Sequence, residues 1–314
     1  MSDIVITEIM GQDAIDDILS GFDIHYDKTL VDHPDKIPQL LPDARALIVR
    51  NRTQVTKTLL EAAPRLECIG RLGVGLDNID LSACKARGIA VYPALGSNEV
   101  SLAEYVMGAM LVLMRRGVYA ANERVLAGEW PRNELVGFDL AGKRLGLIGY
   151  GRSARRLARR ALAFEMDVVA YAPNLPAGDP AWTHPTGVVT KADLDPLIAA
   201  SDVISIHASL NPGTRNMIDA GAIARMKRGA ILVNPARGGI IDEAALIAAL
   251  KSGQLGGAAL DVFEAEPLSA ESAAMFRDVP NLILTPHVAG VTVESSDRMN
   301  RITAEHVRKH LTRG

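Results

Sequence analysis

The stretch Gly-Leu-Ile-Gly-Tyr-Gly-Arg-Ser-Ala at residues 146–154 decides the fold of this chain. An apolar strand pattern leads into it, a helical pattern follows it, and small residues stand at Gly149, Gly151 and Ala154. The first glycine permits a tight turn, the second lets the backbone approach a phosphate, and the small third residue lets helix and strand pack closely. Because the helix N-terminus presents unpaired N–H groups, the stretch is typical of a site for a nucleotide pyrophosphate.

Apolar strands and amphipathic helices alternate on both sides of this turn, which indicates a parallel α/β architecture. Before the turn, the segments that predict strands are 4–6, 46–49, 66–69 and 89–91, with helices near 55–63 and 81–87. From the turn onward, strands are predicted at 145–148, 168–171, 203–206, 230–233, 258–260 and 282–284. Six strands, of which the first leads into the glycine turn, match a complete dinucleotide-binding sheet.

Two helical patterns predict how the chain divides into domains. A long one joins the two series of strands, and Ser101 and Glu104 within it have the spacing of a capping box. Another, at about 292–311, follows the last strand, and we expect it to pack on the first series. The prediction is a doubly wound Rossmann domain, residues 98–288, inserted into a discontinuous flavodoxin-like substrate domain made of residues 1–97 and 289–314.

Composition narrows the class of protein. A chain of 314 residues that is 48% apolar and 23% charged suits an enzyme of two medium domains. A net charge of −3 without a basic tract argues against nucleic acid or an acidic membrane as the partner. The N-terminus is typical of a strand rather than a leader, and the apolar stretch 105–114 is too short to span a bilayer. We therefore predict a cytoplasmic protein with no metal site, in which Cys68 and Cys84 are reduced packing residues.

Three side chains that are suited to binding a small acid or transferring its proton follow predicted strands in the second series. Arg237 enters a loop with a glycine pair, and its planar guanidinium suits a carboxylate or a carbonyl oxygen. His287 leaves the last strand, and an imidazole exchanges a proton near neutral pH. Glu266 is placed to bond the other imidazole nitrogen. Because sheets of this kind bind ligands at the carboxyl ends of their strands, these residues predict proton transfer on a small acid.

Four segments together resemble the D-2-hydroxyacid dehydrogenase family. They are the glycine turn, Asn-Pro-Ala-Arg-Gly-Gly at 234–239, Asp-Val-Phe-Glu-Ala-Glu-Pro at 261–267 and Thr-Pro-His-Val-Ala-Gly at 285–290. They occur in the family's order, and the resemblance covers nearly the whole chain. It implies hydride transfer between NAD and a 2-hydroxy acid, in which Arg237 orients the substrate, Glu266 tunes the histidine and His287 is the acid–base. It also implies a homodimer, with the long helix that contains Ser101 and the segment around Trp130 at the interface.

The resemblance and the strand ends together predict the residues of the cofactor site. Asp261 is placed to receive the nicotinamide amide, and His207 stands at the cofactor's edge without a role in proton transfer. The predicted cofactor-binding residues are Gly149, Gly151, Arg152, Ser153, Asn174, His207, Thr214, Ala236, Asp261 and Ala289.

One position departs from the pattern of NAD enzymes. An acid at the end of the second strand, about twenty residues after the glycine turn, usually bonds the ribose 2′-hydroxyl. Here the stretch at 169–174 reads Val-Ala-Tyr-Ala-Pro-Asn, and Ala172 replaces that acid. No arginine follows at once, although Arg152 and Arg155 begin the adjacent helix, and Asn174 can bond either cofactor. We predict NAD with weak discrimination against NADP.

Arginines in the first series narrow the substrate. The loop Gly-Val-Gly-Leu-Asp-Asn at 73–78 matches the family's carboxylate-binding loop, and Arg132 is expected to reach in from a partner subunit. The predicted substrate-binding residues are Arg50, Arg52, Arg71, Val74, Gly75, Asn98 and Arg132. Arg50, Arg71 and Arg132 resemble the positions by which phosphoglycerate dehydrogenases hold a phosphate, which indicates a second anion on C3 of the substrate.

Two acids with such an anion fit, 3-sulfolactate and 3-phosphoglycerate. Segments 50–53, 71–80 and 128–132 most resemble family members that oxidise sulfolactate, so we favour (S)-3-sulfolactate and 3-sulfopyruvate as the substrate pair. The alternatives are 3-phosphoglycerate oxidation, and glyoxylate or hydroxypyruvate reduction with the arginines as ordinary surface residues. Formate oxidation is a further rival, although it needs no acid–base and leaves Glu266 unexplained. Outside the enzymes, an NAD-sensing transcriptional corepressor keeps the same Arg, Glu and His.

Overall fold

The computed structural model describes residues 2–313, and the chain forms two compact units. The first unit contains the residues up to Asn98 together with those from Val291 onward, and the second contains Glu99–Gly290. The predicted Rossmann segment, 98–288, thus begins one residue earlier and ends two residues earlier than the second unit.

The first unit is built on a five-stranded parallel sheet in the order β2-β1-β3-β4-β5. Its strands are β1 Ile4–Ile6, β2 Ile24–Tyr26, β3 Ala46–Val49, β4 Cys68–Arg71 and β5 Ala90–Pro93. Its helices are α1 Gln12–Ile18, α2 Ile37–Leu40, α3 Lys57–Glu61 and α4 Leu81–Ala86, with 3-10 turns at Leu30–Asp32 and Pro34–Lys36. This is the flavodoxin-like order, as predicted. Strand β2 was not predicted, and β4 and β5 begin and end later than the predicted strands.

The C-terminal helix belongs to the same unit. Thr292 caps the helix that runs through Val293–Leu311, and its side chain accepts a hydrogen bond from the Ser295 amide at 3.0 Å. The helix lies on β4 at Gly70, where a Cβ atom would stand 2.8 Å from side-chain carbons of Thr303 and Val307. A glycine in the strand therefore lets the helix pack directly on the sheet.

The second unit is built on a seven-stranded parallel sheet in the order β10-β7-β6-β11-β12-β13-β14. Its strands are β6 Arg144–Ile148, β7 Asp167–Tyr171, β10 Thr190–Lys191, β11 Val203–Ile206, β12 Ala230–Asn234, β13 Leu255–Leu260 and β14 Leu282–Leu284, with a small antiparallel pair, β8 Thr183–His184 and β9 Gly187–Val188. Its helices are α5 Glu99–Met114, α6 Asn122–Leu126, α7 Arg152–Ala163, α8 Leu194–Ala200, α9 Ala220–Arg225, α10 Glu243–Ser252 and α11 Ala270–Ala273. The C-terminal helix of the first unit, Val293–Leu311, is α12. Three 3-10 turns lie at Val118–Ala120, Pro180–Trp182 and Ala274–Phe276.

The order of the second sheet is the doubly wound Rossmann order with one strand added beyond β13. The predicted set of six strands lacked β10, a two-residue strand at the sheet edge. The predicted capping box is wrong, because α5 begins at Glu99 and Ser101 lies inside the helix with its side chain buried. The Glu104 carboxylate instead accepts a hydrogen bond from Arg160 at 2.8 Å.

Three further predictions concern membrane-spanning helices, metal sites and the state of the two cysteines. Within residues 2–313, no helix combines the length and the apolar character that crossing a bilayer would need. The same residues contain no group of three or more His, Cys, Asp or Glu side chains placed to hold a metal ion. Cys68 and Cys84 are free and buried, and burial raises the pKa of the Cys68 thiol to about 12 and also raises that of Cys84.

Candidate active site

The glycine turn places the N-terminus of α7 at the carboxyl end of β6. Gly149 has a φ of 92°, and a Cβ atom there would stand 2.7 Å from the His207 carbonyl oxygen. A Cβ atom at Gly151 would meet open space, and Ala154 is fully buried between helix and sheet. The turn is therefore tight on its sheet side and open on its outer side.

The start of α7 is suited to a diphosphate. The helix has twelve residues and Gly151 is its N-cap, and no side chain within residues 2–313 caps its first turn. The amides of a helix's first turn, together with the helix dipole, bind anions. The residues present therefore fit the dinucleotide that the sequence predicts, and Gly149, Gly151 and Ser153 are the residues that would hold its phosphates.

The side chains of Arg152 and His207, which lie around this turn, are held by contacts within the protein. Arg152 is paired with the buried Glu99 carboxylate. The two ring nitrogens of His207 lie 3.2 Å from the Ser153 hydroxyl and 3.0 Å from the Ser205 hydroxyl. Burial lowers the pKa of His207 to about 4, so this imidazole is neutral at ordinary pH. Both of its ring nitrogens face hydroxyl groups of the protein, and a cofactor contact without a part in proton transfer remains the prediction for it.

The end of β7 lacks a carboxylate. Ala172 is half-buried directly after the strand, and Asn174 is exposed in the turn that follows. Arg155 contacts Tyr150 in two ways: its Nε donates to the Tyr150 carbonyl at 3.1 Å, and its guanidinium lies over the Tyr150 ring. The ribose end of the predicted site thus offers neither an acid nor an arginine free of other contacts.

Substituting Ala172 by aspartate is expected to raise the preference for NAD over NADP by about 10- to 100-fold, because like charges placed together cost several kcal/mol. The new carboxylate would bond a 2′-hydroxyl and repel a 2′-phosphate. The ratio of kcat/KM for the two cofactors measures the effect. Ala172→Asn is the matched neutral control, and an equal change in both variants would contradict the electrostatic explanation.

Three neighbouring strands bring the predicted catalytic residues to one edge of the second sheet. Asn234 pairs with Leu260, and Leu260 pairs with Leu284, so β12, β13 and β14 end in register. Arg237 and His287 each follow three residues after their strands, and Asp261 follows β13 directly. Because parallel strands share a carboxyl edge, the three loops begin side by side.

Asp261 organises the loop that carries His287. Its carboxylate is 1% exposed and accepts hydrogen bonds from the Thr285 hydroxyl at 2.6 Å and from the amides of Val288 and Ala289, each at 2.8 Å. The Asp261 carbonyl oxygen accepts from the His287 amide at 2.8 Å. The sequence predicts that Asp261 receives the nicotinamide amide, and in the structure this carboxylate holds the His287 loop. Tyr105, which the sequence did not suggest, extends the network through its hydroxyl, 2.7 Å from that of Thr285.

The imidazole of His287 is held from one side. Its Nδ1 lies 2.7 Å from Glu266 Oε2, while Glu266 Oε1 accepts a hydrogen bond from the Phe263 amide at 3.0 Å. The backbone of His287 is left-handed, with a φ of 57°, a conformation in which His and Asn are over-represented among non-glycine residues. Its Nε2 makes no hydrogen bond to any residue between 2 and 313, so this nitrogen is left for an external proton.

The loop that carries Arg237 packs against the loop that carries Glu266. A Cβ atom at Gly238 would overlap the Phe263 carbonyl oxygen, so only glycine allows this approach. Asn234 closes the first loop, since its Oδ1 accepts from the Ala236 amide at 3.1 Å and its Nδ2 donates to the Arg237 carbonyl at 2.9 Å.

Glu243, at the start of α10, bonds the loop that carries Glu266, and sequence reasoning did not identify it. Its carboxylate accepts a hydrogen bond from the Glu264 amide at 2.8 Å. Burial raises the pKa of Glu243, and the nearby carboxylates of Glu264 and Glu266 raise it further.

The predicted arginines of the first unit follow β3 and β4, which are neighbours in register. Arg50 is half-buried, and its guanidinium makes no hydrogen bond or ion pair to residues 2–313. Arg52 is exposed and lies 2.6 Å from an Asp32 carboxylate oxygen. Arg71 Nη1 donates to the Leu72 carbonyl at 2.9 Å and occupies the space in which a Cβ of Gly73 would stand. Of these three arginines, Arg50 is thus the one whose guanidinium has no partner among residues 2–313.

The remaining predicted residues lie in loops. Val74 and Gly75 are half-buried after β4, and Asn98 is half-buried at the end of the first unit. Thr214 lies in a turn of the second unit, where its hydroxyl donates to the Ser209 carbonyl at 2.7 Å. Arg132 is exposed in the second unit, next to a Trp130 side chain that is 81% exposed.

Comparison with known proteins supports the same chemistry. A family described as D-isomer specific 2-hydroxyacid dehydrogenase, NAD binding domain, matches residues 107–289. The chain is 49% identical to an (S)-sulfolactate dehydrogenase of Chromohalobacter salexigens, over 99% of both chains. It is 38% identical to a D-3-phosphoglycerate dehydrogenase of Archaeoglobus fulgidus, over 97% of this chain and 56% of that one. A D-lactate dehydrogenase of Aquifex aeolicus, solved with NAD and lactic acid, superposes with a TM-score of 0.83 at 28% identity, over 98% and 95% of the two chains.

Proposed function

The chain belongs to the D-isomer specific 2-hydroxyacid dehydrogenase family, and we propose that it oxidises (S)-3-sulfolactate to 3-sulfopyruvate. It is an NAD-dependent enzyme that acts on a CH–OH group. The observation that carries the choice of substrate is the open, half-buried guanidinium of Arg50 at the carboxyl edge of the first sheet. A guanidinium on a partly buried residue, without a partner in the protein, is suited to an external anion.

The proton path of the proposal begins at His287. Bound NAD supplies the acceptor for the hydride that leaves C2. Neutral His287 takes the hydroxyl proton on Nε2, and the resulting imidazolium is stabilised by Glu266 at Nδ1. Arg237 orients the substrate through its carboxylate or its carbonyl oxygen. Asp261 keeps the His287 loop in place, so the imidazole does not have to be ordered when the substrate binds.

The two anionic groups of the substrate are assigned to different parts of the first unit. In the proposal, the loop with Val74 and Gly75 holds the carboxylate, and Asn98 lines the same site. Arg50 and Arg71 hold the sulfonate on C3, while Arg52, bound to Asp32, adds positive charge to the loop. A sulfonate and a phosphate are both tetrahedral oxyanions that guanidinium groups bind, so D-3-phosphoglycerate is the second candidate.

The test is NADH formation with racemic sulfolactate, D-3-phosphoglycerate and D-glycerate in parallel at alkaline pH. We expect oxidation of sulfolactate and at most weak oxidation of D-glycerate, which lacks the C3 anion. A clear preference for D-3-phosphoglycerate would reject sulfolactate and keep the arginine site. Comparable activity on D-glycerate would reject the arginine site and indicate a general hydroxyacid or hydroxypyruvate reductase. Turnover of any of these acids would make a purely corepressor role unnecessary.

We also propose a homodimer formed through residues 118–138 of the second unit. Large apolar side chains are exposed along this segment, namely Tyr119, Leu126, Trp130, Val136 and Phe138. Apolar surface of this kind marks an interaction site, and closed twofold dimers are the commonest assembly. Arg132 lies within the segment and would act at the partner's site. Light scattering should give twice the mass of one chain, and a monomer would contradict the proposal.

The proposed compartment is the cytoplasm. The support is that both cysteines are free and buried, as is usual in a reducing environment. Cell fractionation tests it, and recovery of the protein outside the cytoplasm would reject it.

A further inference from the structure

We propose that Glu8 is the positioning residue for the arginine loop, Arg50–Thr53, and thereby sets the selectivity for acids with a C3 anion. The proposal rests on the proposed function, since it concerns the same substrate site. Glu8 follows β1 by two residues, and β1 is the sheet neighbour of β3, from which the loop emerges. Its side chain is 3% exposed, an unusual place for a carboxylate unless it is fully bonded.

The Glu8 carboxylate binds the backbone of every residue in the arginine loop. Oε1 accepts hydrogen bonds from the amides of Arg50 and Thr53, each at 2.9 Å. Oε2 accepts from the amides of Arg52 at 3.2 Å and Asn51 at 3.4 Å. Hydrogen bonds to an ionised acceptor are about twice as strong as neutral ones, so this set holds the loop in a single conformation.

Successive amides that converge on one point form an anion-binding nest, and here the anion is part of the chain. The backbone donors of the arginine loop are therefore already satisfied and do not compete for a substrate anion. Asn78 fixes the carbonyl side of the loop, since its Nδ2 donates to the Thr53 carbonyl at 2.7 Å and the Arg50 carbonyl at 3.4 Å. What the loop leaves for an external anion is the guanidinium of Arg50.

This arrangement explains how a short loop can select substrates that carry a negative charge on C3. A guanidinium on a mobile loop must be ordered by the substrate, and that ordering weakens binding. Because Glu8 and Asn78 fix the backbone at Arg50, the loop is already ordered when the protein folds, and the substrate does not have to order it. Loss of the Glu8 carboxylate should therefore weaken binding of acids with a C3 anion and affect D-glycerate little.

The primary test is Glu8→Gln, which keeps the shape and replaces one acceptor oxygen by an NH2 donor that faces amide donors. We expect kcat/KM for the C3-anionic acid to fall by about 10- to 30-fold, mainly through KM, as for loss of bonds to a charged group. The value for D-glycerate should change less than about 3-fold. Amide hydrogen exchange at residues 50–53 should become faster, a change that altered substrate contacts alone would not cause.

Thr7→Val is the matched control, because it removes a buried hydroxyl under the same loop, 2.9 Å from that of Thr53, and leaves Glu8 intact. It should preserve the ratio of kcat/KM for the two acids. Glu8→Asp, which keeps the charge but is one methylene shorter, is the second variant if Glu8→Gln does not fold, and it should lose part of the selectivity.

Two results would overturn the role of Glu8. One is an equal loss on both acids in the Glu8 variants, and the other is a loss of selectivity in Thr7→Val as large as theirs. Wild-type protein that fails to distinguish the two acids would instead reject the proposed function, and the selectivity role of Glu8 with it. The wild-type panel and the variants thus separate the two failures.

Discussion

Replacement of His287 by alanine is expected to lower kcat by about 10² to 10⁴, the usual contribution of a positioned acid–base. The reason is that the His287 imidazole stands at the carboxyl edge of the second sheet with one ring nitrogen bonded and the other without a partner among residues 2–313. Glu266 holds Nδ1 at 2.7 Å and leaves Nε2 to exchange the substrate proton. Steady-state kinetics on the preferred acid measures the loss.

The backbone at this position makes a second variant necessary. His287 has a left-handed φ of 57°, where alanine is strained by roughly 1–2 kcal/mol and asparagine is tolerated. His287→Asn should therefore keep the loop and the thermal stability, yet lose kcat within the same range. His33→Ala, at an exposed histidine of the first unit, controls for loss of an imidazole. Near-normal turnover in His287→Asn would remove the proposed mechanism.

The strands that sequence reasoning located are those that carry continuous apolar runs. Two predicted strands of the second sheet, 203–206 and 282–284, match the observed bounds, and the other four differ by at most three residues, because buried parallel strands consist almost wholly of apolar residues. Four strands were missed. Ile24–Tyr26 and Thr190–Lys191 are short edge strands without a buried face, and Thr183–His184 and Gly187–Val188 form a separate antiparallel pair of two residues each. Only their pairing with a neighbour defines them, and pairing is not visible in a local pattern.

The predicted capping box shows a related limit. A serine three residues before a glutamate occurs inside helices as well as at their starts, and Ser101 lies inside α5. Real caps are defined by backbone conformation, as at Thr292, where the side chain and the extended φ and ψ occur together. Spacing alone does not supply that information.

The residues of the candidate site also divide into those that a local sequence pattern predicted and those that it missed. Arg237, Glu266 and His287 are visible because each stands in a motif directly after a strand. Glu8, Tyr105 and Glu243 were missed because their partners are backbone amides or hydroxyls distant in sequence, 42 residues away for Glu8 and Arg50 and 180 for Tyr105 and Thr285. One signal was available for Glu8. An acid so soon after a fully apolar strand must be bonded if the strand end is buried.

Replacement of Arg50 by methionine is expected to lower kcat/KM for the C3-anionic acid by about 30- to 5,000-fold, because truncating one partner of a buried charge pair costs about 2–5 kcal/mol. Methionine keeps the length and the apolar contacts of the side chain and removes only the guanidinium. The loss should exceed that of Glu8→Gln, since the latter displaces the charge and Arg50→Met deletes it. D-glycerate, which has no anion on C3, should be oxidised within about 3-fold of the wild-type rate.

Arg65→Met is the matched control for Arg50→Met, because Arg65 is an exposed arginine of the same unit whose partner is Asp43. Removing it changes the net charge by the same amount and should leave both activities unchanged. If the two variants lost activity alike, the effect would be one of long-range charge, which 0.5 M salt would also suppress. A loss confined to Arg50→Met and to the C3-anionic acid would locate the distal anion at this guanidinium, because only a short-range contact distinguishes one arginine from another of equal charge.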